Sequence, residues 1–201
     1  MREPVNLLLA SSNAGKLEEY AEMAEGGRIR LQGLPDFDVL PAFAESAPTF
    51  AENAVGKALH YSRFASLAVI ADDSGLVVPA LGGAPGPMSH RYAGPLAVDM
   101  ERVAKLLRDM AGKTGEERRA RFVCVLALAS AGCVLAVFSD AVEGMLLNSP
   151  RGAAGFGYDP VFLCEPLGKT FAEISRRQKN ELSHRGRAFR KLLSFLDSAG
   201  E

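Results

Sequence analysis

An α/β fold built on a mixed sheet follows from three features of this 201-residue sequence. Short apolar runs with the length of buried strands alternate with amphipathic stretches through the first half. A long apolar segment in the second half is interrupted by Ser130-Ala131-Gly132, the mark of two strands joined by a tight turn. Alternating strands and helices alone predict a parallel sheet, whereas the hairpin adds antiparallel pairing. The length is that of one domain, or of two closely associated lobes, and suffices to bury a real core. Residues 1–201 are therefore taken as a single domain.

Val5 to Ala10 is the first strand; small polar residues follow it, then a helix from Lys16 to about Glu25. Pro48-Thr49 opens a second helix, with Ser46 as its expected cap and Phe50, Ala54, Ala58, Tyr61 and Ala65 on one face. Leu67 to Ala71 is a buried-type strand expected to end abruptly in Asp72-Asp73-Ser74-Gly75. A further strand is expected from Leu76 to Leu81, before the Gly/Pro-rich loop Gly82 to Pro87. Val103, Leu106, Leu107 and Met110 give Val98 to Met110 an apolar helical face. Lys113 to Arg119 is expected to be a solvated connection, and the hairpin occupies 121–138. Gly152, Gly155 and Gly157 precede a strand from Val161 to Cys164, and Thr170 with Glu173 has the spacing of a capping box. A last helix runs from about His184 to Ser198, with Phe189, Leu192, Leu193 and Leu196 on one face.

With 48% hydrophobic and 23% charged residues, the composition excludes disordered and fibrous classes. The 23 basic and 24 acidic residues leave a net charge of −1, which argues against gripping nucleic acid or an anionic membrane by bulk charge. That balance conceals an asymmetry, because residues 176–201 carry seven basic and three acidic groups. The apolar run Val123 to Phe138 falls short of the roughly 20 residues of a membrane span, and Met1-Arg2-Glu3-Pro4 begins no secretory leader. Three cysteines, two of them in apolar runs, point away from a disulfide framework and toward a reducing, cytoplasmic setting.

Four clusters carry the chemistry. Ser11-Ser12-Asn13-Ala14-Gly15-Lys16 lies between a strand and a helix N-terminus, where backbone N–H groups and the helix dipole favour an anion and Lys16 adds a charge. It is not a Walker A loop, since Ala10 stands where that motif needs Gly and Leu17 where it needs Ser or Thr; Gly168-Lys169-Thr170 fails too, with Leu163 at the first Gly position. An ordinary βα turn with a surface lysine would read the same way. In Asp72-Asp73-Ser74-Gly75, two adjacent carboxylates at the end of an apolar strand repel, and burying them unpaired costs several kcal/mol, on the order of 3–5. A divalent cation offsets this, and extended backbone sends the two side chains to opposite faces, one for metal and one for support. An Asp-rich turn with Gly75 in an unusual conformation is the competing reading. Phe156-Gly157-Tyr158-Asp159-Pro160 reads either as a base-stacking loop or as core aromatics before a strand. Lys179 with Ser183-His184-Arg185-Gly186 supplies donors that can read carbonyl oxygens. His60 and His90 read as structural or surface residues.

In order, SSNAGK, TFAENAVGKA, ADDSGL, LGGAPG with the following RYAG, FGYDP, and Lys179 with SHRG resemble the inosine/xanthosine triphosphate pyrophosphatase family. The match runs from residue 11 to residue 186. The resemblance implies a two-lobed α/β fold with a long mixed β-sheet flanked by helices and an active site in the cleft between the lobes. It implies that Ser11, Ser12, Asn13, Ala14, Gly15 and Lys16 hold the triphosphate, helped by Lys57. It places Glu45 and Asp73 on a metal, Asp73 as proton acceptor, Asp72 in support and Ser74 on substrate. Phe156, Gly157, Tyr158, Asp159, Lys179, His184 and Arg185 fall at base-binding positions, with Phe156 as the stacking ring. Departures from the family pattern lie at Ser12, His90 and Ser139-Asp140, none of them a carboxylate or base-reading position.

The implied reaction is Mg2+-dependent hydrolysis of ITP, dITP and XTP to the monophosphate and pyrophosphate. Lys179 and Arg185 can bond a 6-keto group, whereas adenine presents an amino group there. A phosphatase releasing the terminal phosphate and a nucleotide sensor without hydrolysis are the alternatives. A purine nucleotide substrate, a homodimer, no nucleic-acid or membrane partner and a cytoplasmic location complete the expectations.

Overall fold

The computed structural model describes residues 4–198, so Met1 to Glu3, read above for a leader, lie outside them. Seven strands appear in chain order: β1 (Val5–Leu9), β2 (Ile29–Gly33), β3 (Ala68–Val77), β4 (Arg119–Ser130), β5 (Cys133–Leu146), β6 (Phe162–Cys164) and β7 (Lys169–Thr170). The helices are α1 (Ala14–Ala24), α2 (Phe50–Tyr61), α3 (Asp99–Asp109), α4 (Arg176–Leu182) and α5 (His184–Ser198). The sheet order is β2-β1-β3-β4-β5-β6-β7. β1 pairs in parallel with β2 and β3, while β5–β6 and β6–β7 are antiparallel, so the sheet is mixed as expected. The β4–β5 hairpin turns on Ala131 and Gly132, both with positive φ, as a two-residue turn matched to strand twist demands. Among the described residues no helix is long and apolar enough to cross a membrane.

Contacts divide the chain into two compact units. The first holds the residues up to Asp73, Cys124–Asp140 and the residues from Arg185; the second holds Ser74–Val123 and Ala141–His184. Within the first, strand alternation separates two layers of core. Leu7, Leu9, Ile70, Cys124, Leu126 and Leu128 face Tyr20 of α1 and Ala188, Phe189 and Leu192 of α5. The alternate positions Leu8, Ala10, Val69, Ala71, Val125, Ala127 and Ala129 face Ala54, Ala58 and Tyr61 of α2. Both sheet faces are thus covered, which explains near-continuous apolar runs in place of a polar alternation. Each fully buried Leu or Phe contributes about 1.5–3 kcal/mol.

In the second unit, Val103, Leu106 and Met110 of α3 pack with Leu76, Val78, Phe122, Phe162 and Phe171. Phe122 stands 4.6 Å from Phe162 and 4.9 Å from the His184 ring, the latter pair stacked within 9°.

Four local expectations change. The cap of α2 is Thr49, whose Oγ1 accepts the Glu52 N–H at 3.2 Å, and not Ser46, which is exposed in the preceding loop. Thr49 is extended, with φ −125° and ψ 150°, and its hydroxyl faces the first turn, so the first helical residue is Phe50. Strand β3 does not stop at the acidic pair but runs through it to Val77, and Pro79–Leu81 forms a 3-10 turn in place of further strand. Gly75 permits this continuation, because a Cβ there would meet the Ser89 hydroxyl and Gly86 O. The connection after α3 is not wholly solvated: buried Arg118 donates to Leu146 O at 2.6 Å, Leu147 O at 2.8 Å, Lys113 O at 3.2 Å and Met110 O at 3.3 Å. Finally, β2 and α4 arise where no apolar period announced them, β2 with only Ile29 buried.

Candidate active site

The predicted residues fall into two groups, one in each unit. In the first unit, the loop after β1 turns into α1 through Asn13, whose Oδ1 caps the Lys16 N–H at 3.0 Å while its own N–H donates to Ser11 Oγ at 3.2 Å. Ala14 and Gly15 thereby become the first two helical residues, with their amides at the positive end of the helix dipole. Ser12 and Ala14 are exposed and Ser11 is buried.

Asp72 and Asp73 point to opposite faces of β3 and meet opposite electrostatic environments. Asp72 is fully buried; its Oδ1 lies 2.9 Å from Lys16 Nζ and its Oδ2 accepts the Arg185 Nε–H at 3.4 Å. Burial opposes its charge, but Lys16, Arg185 and Lys57 outweigh that and hold the carboxyl well below the usual carboxylate range. Arg185 is itself buried and donates from Nη1 to Glu19 at 2.5 Å, so its cationic fork spans two carboxylates. Asp73 sits on the face of Asn53, whose Nδ2 donates to its Oδ2 at 2.9 Å. Burial pushes the Asp73 carboxyl up to about 6; Lys16 and the Asn53 hydrogen bond oppose this, while the charges of Glu45 and Asp72 add to it. Glu45 is held at 2.6 Å by Lys57 Nζ. Burial works against the Lys57 ammonium, yet Glu45 and Asp72 raise its pKa above the ordinary lysine value.

The loop that carries Glu45 is pinned to α2 by further contacts. Phe43 N–H donates to Tyr61 Oη at 3.3 Å, Ala47 N–H donates to Asn53 Oδ1 at 3.0 Å, and the Phe43 ring covers Gly56, where a Cβ would come within 2.5 Å of its Cζ. Asn53 therefore anchors the Glu45 loop and orients Asp73 at once.

The second unit holds Ser74, the 156–159 loop, Lys179 and His184. Asp159, buried, accepts the Phe156 N–H at 2.9 Å and pairs with buried Lys179. The Lys179 ammonium also lies 4.6 Å from the Phe156 ring centroid, a cation–π distance. Tyr158 is 3% exposed, and its hydroxyl donates to Ser89 O at 2.9 Å, so this ring is core while Phe156 stays half-buried. The core reading of the loop therefore holds for Tyr158, whereas the Phe156 ring is not part of the core.

Gly155 makes the loop possible, because its φ is 73° and a Cβ would strike the Asp159 carboxylate. Gly155→Ala is expected to lower stability by about 1–2 kcal/mol, read as a shifted urea midpoint with an unchanged slope. An unaltered midpoint would show that the loop accommodates the methyl group.

The structure thus brings Lys16, Glu45, Lys57, Asp72, Asp73 and Arg185 into one unit and Phe156, Asp159 and Lys179 into the other. Glu19 and Asn53 are site residues that sequence reasoning missed. For Glu19 the available signal was a carboxylate beside Tyr20 on the inward side of α1; for Asn53 it was the polar residue just before Ala54 on the apolar face of α2.

The sequence model of the Ham1 family matches residues 7–195. A dITP/XTP pyrophosphatase of Geobacillus kaustophilus is 48% identical over 186 residues, covering 92% of this chain and 91% of that protein. One of Geobacter sulfurreducens is 44% identical over 194 residues, covering 96% and 98%. Among solved structures, a HAM1 protein from Coxiella burnetii superposes with a TM-score of 0.85 at 38% identity, covering 96% of this chain and 99% of that one. The Staphylococcus aureus Ham1 protein gives 0.84 at 36% identity, with the same coverage. A profile spanning nearly the whole sequence, relatives near half identical and matching three-dimensional structures agree: this chain belongs to the Ham1 family.

Proposed function

We propose that the chain is a Mg2+-dependent pyrophosphatase, which hydrolyses ITP, dITP and XTP to the nucleoside monophosphate and pyrophosphate and so removes them from the nucleotide pool. The observation that carries this reading is the contrast between Asp72 and Asp73. Adjacent carboxylates driven apart in pKa are assigned different tasks, one a permanently charged support and the other a proton acceptor near neutrality. The relatives named dITP/XTP pyrophosphatase support the same reading.

Glu45 and Asp73 fit a magnesium ion. Both offer hard oxygen ligands, and Asp73 is buried with its charge opposed by Glu45 and Asp72, so added positive charge there is favourable. Among the described residues no three His, Cys, Asp or Glu side chains form a ready cage, and two carboxylates are what an ion completed by water and phosphate oxygens uses. Bound there, Mg2+ would neutralise charge on the phosphates and on the departing pyrophosphate.

The protein's own groups do the rest. The Ser11-to-Lys16 loop and the first turn of α1 hold phosphate oxygens, with Lys57 adding positive charge beside Glu45. Asp73 takes the proton of the attacking water; a carboxyl near 6 is largely ionised above neutrality and still basic enough to accept it. Asp72, fixed by Lys16 and Arg185, holds the strand in place, and Ser74 contacts substrate. Phe156 stacks on the base, and Gly157, Tyr158 and Asp159 shape the loop around it. Lys179, His184 and Arg185 supply donors toward the 6-keto edge, which an adenine amino group cannot satisfy.

The whole chain is proposed to act as one such domain, as a homodimer in the cytoplasm, without nucleic-acid or membrane partners. Its near-neutral charge supports the last point, and the exposed apolar side chains Leu96, Val98 and Met100 suit a subunit contact. One assay tests the reaction: incubation with ITP and Mg2+, with pyrophosphate and orthophosphate quantified separately. Pyrophosphate as the first product is expected. Orthophosphate first would replace the proposal with terminal-phosphate hydrolysis, and no turnover would replace it with a nucleotide sensor.

A further inference from the structure

We infer that Asp99, outside every motif singled out above, is a positioning residue that pre-sets the 156–159 loop for the purine. This rests on the proposed function, in which that loop meets the base. Asp99 is the first residue of α3, where a carboxylate ordinarily serves its own helix by facing the first-turn amides. Here Glu101 reaches back to the start of the helix, its Oε2 accepting the N–H of the cap residue Val98 at 2.8 Å. Asp99 reaches outward instead: its Oδ2 accepts the Gly157 N–H at 2.7 Å, across 58 residues of sequence. Its Oδ1 pairs with Arg102, which is 8% exposed and also donates to Ala97 O. The guanidinium therefore fixes the carboxylate in the orientation that meets the loop.

Gly157 has a φ of 63° and separates the half-buried Phe156 from the buried Tyr158. The other anchors of the loop hold Phe156 through Asp159, Tyr158 through Ser89 and Asp159 through Lys179. Asp99 alone among these ties the Gly157 amide, and so the peptide plane that follows Phe156, to a helix. With that plane held, the Phe156 ring stays against Lys179 before substrate arrives, and binding spends less on ordering the loop. Because the proton acceptor and the phosphate loop belong to the other unit, the effect is predicted on substrate affinity and not on the chemical step.

The test compares the full-length chain with Asp99→Ala and Asp99→Asn, following ITP hydrolysis with Mg2+ and amide hydrogen exchange at Gly157. Asp99→Ala is expected to raise KM by about three- to tenfold, the scale of one hydrogen bond, with kcat within about twofold and faster exchange at Gly157. Asp99→Asn keeps an acceptor for Gly157 while losing the charge that binds Arg102, and is expected to restore most of the KM. Faster exchange with KM unchanged would overturn the inference, since the tether would exist without serving substrate. Unchanged exchange, or an Asn variant as impaired as Ala, would also overturn it. If the unaltered chain does not hydrolyse ITP at all, the proposed function falls first and this role falls with it.

Discussion

Asp73→Asn is expected to lose ITP turnover by about 10²–10⁴-fold while melting at a higher temperature than the unaltered chain, in metal-free buffer at pH 8. The loss follows from removing the proton acceptor and a metal ligand together. The gain follows from the sign of the pKa shift. In the folded chain the carboxyl titrates near 6, above its value of about 3.9 in an unfolded chain, so between those limits the folded state holds the proton more tightly. Stability therefore falls as pH rises from about 4 to about 6, and the deficit stays above that range. Holding the carboxyl near 6 costs at most about 3 kcal/mol at pH 8, and asparagine removes that cost while still accepting from Asn53. Allowing for relaxation, about 1–2 kcal/mol is expected at pH 8, or some 2–8 °C for a chain of this size. Melting curves in EDTA at pH 4.5 and pH 8 check this. The advantage of the variant should shrink at the lower pH, and an equal difference at both would show that Asp73 carries no such cost.

Arg185→Ala is expected to destabilise the first unit by about 3–5 kcal/mol, because it strips the cation from two buried carboxylates. Glu19 and Asp72 are 2% and 0% exposed, and Asp72 would retain Lys16 as its close counter-ion. The sign for Asp72 is opposite to that for Asp73. Its depressed pKa contributes stability at neutral pH that is lost on acidification through its folded value, so removing Arg185 should cost most at neutral pH and the deficit should shrink on acidification. Urea denaturation of Arg185→Ala and of the double variant Glu19→Gln/Arg185→Ala measures the effect. The double variant should recover part of the loss, since one uncompensated charge is gone; a further loss instead would mean that the Glu19 contact is not what stabilises the unit. Arg185→Lys, a point charge in place of a fork, should fold more stably than the alanine variant yet satisfy the two carboxylates less well. Its ratio of kcat/KM for ITP over ATP then tests base discrimination in a folded protein. An undiminished ratio would move base reading to Lys179 and His184.

Much of the fold was legible because its determinants are local. The apolar runs announced β1 and the β4–β5 hairpin as buried strands, and the apolar face announced α5 from His184 to Ser198, while the division of alternate positions between two layers came from packing. The misreadings are equally physical. Propensity favoured a turn at Asp72-Asp73-Ser74-Gly75, but Gly75 lies against Ser89 and the strand continues. Lys113 to Arg119 looks solvated by composition, yet Arg118 is buried because four carbonyls left over from neighbouring segments converge on one guanidinium.

By itself the sequence determined the inventory of this protein: a strand–loop–helix anion site, an adjacent acidic pair, an aromatic loop and a donor-rich C-terminal segment, in an order that resembles one family of enzymes. What only the tertiary structure decided is how those groups are charged and to what each is bound. Nothing local distinguishes Asp72 from Asp73. Their difference comes from Lys16, 56 residues before Asp72, and Arg185, 113 residues after it, reaching one face of β3 while Asn53 of α2 reaches the other. Likewise, Arg185 reads in sequence as a donor for substrate, and folding gives it two internal carboxylates to hold. The physical reason is that a side chain's pattern of polarity is written into the chain locally, whereas its desolvation and its nearest charges depend on segments that only packing brings together.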